Sequence, residues 1–138
     1  MNTALSQPIY QESLAINRAI QQLTRGYHSN GTFNLAFKIK DDIISICNDL
    51  DQGVSARFEH TFLSYYKNAL KRTTLLLEHM EIANKAHMLR ADGFPESLFI
   101  RVRLLHKKME LMLEMLQSGV PVDFLTLSAW ARQKLALS

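Results

Sequence analysis

The residues that could make or break bonds are few and poorly grouped. Cys47 is the only thiol of the chain, and it sits among Ile43, Ile44, Ile46 and Leu50. A cysteine becomes a nucleophile in a polar, electropositive and accessible setting, so an inert buried side chain is expected here. The five histidines are His28, His60, His79, His87 and His106. No two are spaced as His-x-x-x-His, the interval that sets two imidazoles on one helical face for a metal. Each is expected to be an ordinary surface or boundary residue. Glu59-His60 and Glu78-His79 are sequence neighbours, which on a helix diverge by about a hundred degrees, a poor arrangement for an acid that orients a base. No Glu-x-x-His pair of the kind found in di-iron bundles occurs. The glycines form neither Gly-x-Gly-x-x-Gly nor Gly-x-x-x-x-Gly-Lys, whose backbone amides cradle phosphates. The expectation is a binding protein, not an enzyme, with no catalytic residue, no metal and no cofactor.

The elements that would position these side chains are helices. At 138 residues, 47% hydrophobic, with only 5 Gly and 3 Pro, the chain suits one domain over 1–138 built of long helices and short connections. Ile16, Ile20, Leu23 and Tyr27 mark one face of a first helix from near Pro8 to Gly26. Ser29-Asn30-Gly31-Thr32 reads as a turn, with Thr32 as N-cap. A second helix from Phe33 to Leu50 carries Leu35, Ile39, Ile43, Ile46 and Leu50 on its stripe, and Gly53 closes it. A third, from Ser55 to Ala91, shows Phe58, Phe62, Tyr65, Ala69, Leu76, Met80, Ala83 and His87 on one face. Asp92-Gly93-Phe94-Pro95 stops it, and Pro95 suits the first turn of a fourth helix striped by Leu98, Val102, Leu105, Met109, Met112 and Leu116. Methionines at such spacing read as core filler. Asp123 is a candidate cap for a short fifth helix holding Trp130 and Leu135. Four amphipathic helices on short loops predict an all-α, antiparallel up-down four-helix bundle over about 8–117, with a short C-terminal helical extension over about 120–138. No run of about 18 apolar residues and no signal-like N-terminus occurs, so a cytoplasmic protein without a membrane partner is expected.

Charge is the remaining signal. Sixteen Lys and Arg against 13 acids give +3, a mild bias whose distribution matters more than its sum. Lys67, Lys71 and Arg72 fall within about a turn of the third helix. Arg101, Arg103, Lys107 and Lys108 crowd the first half of the fourth, with Glu110 and Glu114 later. This pattern suits phosphate contacts or an acidic protein partner; the plain alternative is a solvated face with no ligand.

Leu35-Ala36-Phe37-Lys38-Ile39, Ser45-Ile46 and Leu50 through Gly53 resemble the second helix of a bacterial four-helix bundle family, where the segment reads Leu-Gly-x-Gln-Ile and then Ser-Ile-Pro-x-Asn-Ile-Ala-Glu-Gly. Phe62, Ala69-Leu70 and Ile82-Ala83 through Leu89 fall where that family has Phe, Ala-Leu and Ile-Ala-x-x-x-x-Leu. The likeness spans roughly residues 12–117, with Cys47 in place of Pro, Asp49 of Asn and Gln52 of Glu. The family includes proteins encoded in intervening sequences of ribosomal RNA genes and Avd, the accessory variability determinant of diversity-generating retroelements. The resemblance implies a homo-oligomeric, pentameric accessory subunit that binds a reverse transcriptase and its template RNA, with DNA a further candidate. Five copies would raise the monomer charge of +3 to about +15 and array five basic patches. The alternative reading is a structural or regulatory assembly protein that meets an acidic protein partner and no nucleic acid.

Overall fold

A computed structural model describes residues 6–25, 30–85 and 94–118, apart from the side chains of Ser6 and of residues 30–34. They form four helices: α1 (Ser6–Leu23), α2 (Asn30–Ser55), α3 (Glu59–Lys85) and α4 (Glu96–Gln117). Each is long, because nothing but its ends carries a helix breaker that the packing does not absorb. Helix α1 packs on α2 and α4, and α3 packs on the same two, so the four make a closed square. The all-α four-helix bundle expected from periodicity is the fold observed.

Two pairs of contacts fix directions. Asp42 meets His79, while Gly53 lies against Tyr66, so α2 and α3 run oppositely. Asn84 binds Phe94 and Thr74 meets His106, so α3 and α4 do too.

The core is the sum of the inward stripes. Ile9, Ile16 and Ile20 come from α1, Ile39, Ile43, Ile46 and Leu50 from α2, and Val102, Leu105, Met109 and Met112 from α4. Each such side chain, taken from water, contributes on the order of 2 kcal/mol. On α3 the buried set is Phe62, Tyr66, Ala69, Thr73, Leu76, Met80 and Ala83. Tyr66, not the expected Tyr65, therefore faces inward, because steps of four and three from Phe62 reach residue 66. Phe58, expected on the same stripe, lies before the helix begins and is exposed, stacked on His60 at 5.8 Å.

Gly53 does not close α2. It lies inside the helix, buried, where a Cβ would come within 3.1 Å of the Tyr66 ring. That ring is stacked on Phe62 at 4.4 Å, so glycine serves close approach of α2 to α3 rather than chain reversal. Thr32 likewise falls within α2 instead of capping it. Helix α4 starts one residue later than expected, with Pro95 at the N-cap in extended backbone. The Asn84 amide accepts from the Phe94 N–H at 2.9 Å and donates to its carbonyl at 3.1 Å, fastening the end of α3 to the start of α4. Tyr27, His28, residues 86–91 of the expected third helix and the extension at 120–138 lie outside the described residues.

Candidate nucleic-acid interface

Because α3 packs on both α2 and α4, its cations divide between flanks. Arg72 leans toward α2, Lys71 stands outward, and Lys67 is tipped toward α4, as turns of about a hundred degrees per residue require. All three are exposed. Lys71 and Arg72 line a polar groove of about 550 Å³ between α2 and α3, with Ser45, Asn48, Asp49, Asn68 and Leu75. Serine and asparagine donors beside two cations are the usual surroundings of a phosphate or sugar. Asp49 is the discordant member. Burial raises its carboxyl above the ordinary value, and Arg72 opposes that shift.

The α4 cations are arranged differently. The Arg101 Nε donates to Glu12 of α1 at 3.2 Å, Arg103 to Glu96 at 3.1 Å, and Lys107 to Glu110 at 3.0 Å. Arg103 also covers the Phe99 ring, 5.5 Å from its centroid. Lys108 makes no ion pair among the described residues. Arg101 and Lys108 share the flank toward α1, whereas Arg103 and Lys107 lie on the other flank among Glu96, Glu110 and Glu114. Three of the seven cations are thus answered by carboxylates within the chain, and α4 presents no unbroken positive strip. Exposed pairs of this kind contribute at most about 1 kcal/mol and leave the cations able to exchange partners, but they cancel much of the local field. The α3 cluster is where positive charge stays concentrated.

One contact was hidden from the sequence. The Asp42 carboxylate and the His79 Nδ1 meet at 2.6 Å across the α2–α3 seam, their side chains 8% and 23% exposed. His79, expected to be an ordinary surface or boundary residue, instead satisfies a buried acid. The acid beside it is Asp42 of another helix, not its neighbour Glu78. No hydroxyl or thiol among the described residues bonds its other ring nitrogen, so the pair has the form of an interhelical clamp. Cys47 is buried as expected, donating to the Ser13 carbonyl at 3.4 Å, and burial pushes its thiol pKa up. Among the described residues no three His, Cys, Asp or Glu side chains are grouped to hold a metal, and no helix is long and apolar enough to cross a membrane. Compared with family models, curated proteins and solved structures, the chain matches none.

Proposed function

We propose that the chain is a non-catalytic, homo-oligomeric helical adaptor that engages a polyanion, with template RNA and a reverse transcriptase as its partners in the manner of the Avd-like proteins it resembles. Five copies is the assembly the resemblance suggests, and the cytoplasm its setting. The observation that carries this reading is the α2–α3 groove, where Lys71 and Arg72 stand among Ser45, Asn48, Asp49 and Asn68, with Lys67 one turn before Lys71 on α3. Neither lysine has an ion-pair partner among the described residues. The groove ranks above the α4 cluster because Arg101, Arg103 and Lys107 already hold carboxylates.

A second reading has its own support. The pairing on α4 lowers the net field of the bundle, and such a surface suits an acidic protein that uses Lys67, Lys71 and Arg72 without nucleic acid. Fluorescence anisotropy separates the two. With a single-stranded RNA oligomer as probe, Lys71→Glu plus Arg72→Glu is expected to abolish binding while Arg103→Glu has little effect. Equal binding by wild type and the groove variant would defeat the proposal. Binding of a polyglutamate peptide but of no RNA would favour the second reading.

A further inference from the structure

The polar side chains that line the α2–α3 groove are unlike in sign and in depth. Asn48, Asn68, Lys71 and Arg72 are exposed and form its rim, while Ser45 and Asp49 are half-buried and form its floor. Ser45 and Asp49 are four residues apart, so they lie one above the other on α2. None of the six makes a hydrogen bond or a close ion pair with another described residue. Buried polar groups elsewhere in the bundle are answered within the chain: the Ser13 hydroxyl donates to the Tyr10 carbonyl, Thr73 donates to Ala69, and Asp42 meets His79.

Asp49 is the informative member of the set. An ionised carboxylate only accepts hydrogen bonds, and one drawn out of water without a donor is penalised. Burial raises its carboxyl above the ordinary value, and Arg72 opposes that rise from beyond ion-pair distance. A ligand that offers only acceptors, such as a bare phosphate or an acidic side chain, suits Lys71 and Arg72 but leaves Asp49 repelled and unanswered. The groove therefore calls for an anion that carries a hydrogen-bond donor a short reach from its charge.

A ribonucleotide is such an anion. Its 2′-hydroxyl sits on the ring carbon next to the one that bears the 3′ phosphate, and a carboxylate is the group that binds this hydroxyl in dinucleotide sites. The registry of the two helices brings the parts together. Asp42 is level with His79 and Gly53 with Tyr66, so Asp49 stands level with Lys71, across a helix separation of about 8–10 Å. A phosphate held at the rim by Lys71 and Arg72 sets its own sugar over Asp49, whereas the edge of a base lies further from the charge. DNA offers the same phosphates without the hydroxyl.

We propose that the groove holds a ribonucleotide of the bound strand, its phosphate on Lys71 and Arg72 and its 2′-hydroxyl donating to the Asp49 carboxylate, so that Asp49 selects RNA over DNA. This rests on the polyanion reading of the groove and adds to it the residue that tells one nucleic acid from the other.

Fluorescence anisotropy on the full chain tests the selection, with single-stranded RNA, DNA and 2′-O-methyl RNA of one sequence as probes. Wild type is expected to bind RNA about tenfold more tightly than DNA, the strength of one hydrogen bond to a charged acceptor in a half-exposed setting. The 2′-O-methyl RNA, which cannot donate, should bind like DNA. Asp49→Ala removes both the acceptor and a negative charge, so it should strengthen DNA binding and bring RNA and DNA within about twofold of each other. Circular dichroism should show this variant as helical as wild type, since alanine favours helix. Equal binding of RNA and DNA by wild type, 2′-O-methyl RNA bound as tightly as RNA, or a preference that survives in Asp49→Ala overturns the proposal. Equal binding that is still abolished by Lys71→Glu plus Arg72→Glu leaves the polyanion reading standing without it; binding of neither strand by wild type defeats both.

Discussion

Removing His79 should expose how much the buried Asp42 depends on it. The two meet at 2.6 Å with the carboxylate side chain 8% and the imidazole 23% exposed. A hydrogen bond to a charged group contributes about 1.5–3 kcal/mol, and stranding the acceptor adds its desolvation. Fully buried pairs broken on one side lose about 3–5 kcal/mol. Solvent reaches the His79 edge of this pair, so His79→Ala is expected near the lower end, roughly 2–3 kcal/mol. For a chain of this size that is a fall in Tm of roughly 6–15 °C. Asp42→Ala should cost less, since the half-buried imidazole can turn to water. The double variant should be well short of the sum, with a coupling of about 1.5–3 kcal/mol measured by urea unfolding of all four proteins. Additivity within about 0.5 kcal/mol would refute the idea that this pair clamps α2 to α3.

Gly53→Ala sets a gain of about 1 kcal/mol in helix propensity against a Cβ 3.1 Å from a buried, stacked Tyr66 ring. Overpacking of about 1–3 kcal/mol is expected to win, and a raised Tm would show that the ring yields. Asp49 has a carboxyl pKa raised by burial from 3.8, with Arg72 opposing, so the folded state is penalised once pH rises above that value. Asp49→Asn should therefore keep or improve stability at neutral pH, change little below pH 3.8, and tighten RNA binding. Destabilisation at neutral pH would mean that Arg72 outweighs burial. Burial also raises Cys47 from 9.0 and Tyr10 and Tyr66 from 10.0, with Asp51 and Cys47 adding to the effect at Tyr10. These groups ionise first in the unfolded chain, so stability should hold below pH 9 and fall as pH climbs through 10. A urea midpoint unchanged to pH 11 would contradict this.

The bundle was legible because local apolar spacing is enough to specify helices: Ile39, Ile43, Ile46 and Leu50 face inward as their intervals require. What sequence order hides is what another helix supplies. Glu12 reaches Arg101 from 89 positions away, and Asp42 meets His79 across 37, distances at which no pattern on one helix is informative. Gly53 reads as a stop signal until the Tyr66 ring opposite it is seen. The interval from Phe62 did carry the signal for Tyr66, since a strict four-three rhythm passes through residue 66 and not 65. The α4 cations read as one cluster because they are close in sequence, while the wheel sends Arg101 and Lys108 to one flank and Arg103 and Lys107 to the other.

Neutralisation of phosphates by Lys71 and Arg72 in the α2–α3 groove would be read in the salt dependence of RNA binding. For single strands log Kobs falls with log salt by about 0.7 per phosphate neutralised. Wild type should show a clear negative slope, and Lys71→Gln with Arg72→Gln should flatten it by about 1.4. A slope near zero in wild type, or one the double variant leaves unchanged, would mean that Lys71 and Arg72 neutralise no phosphate.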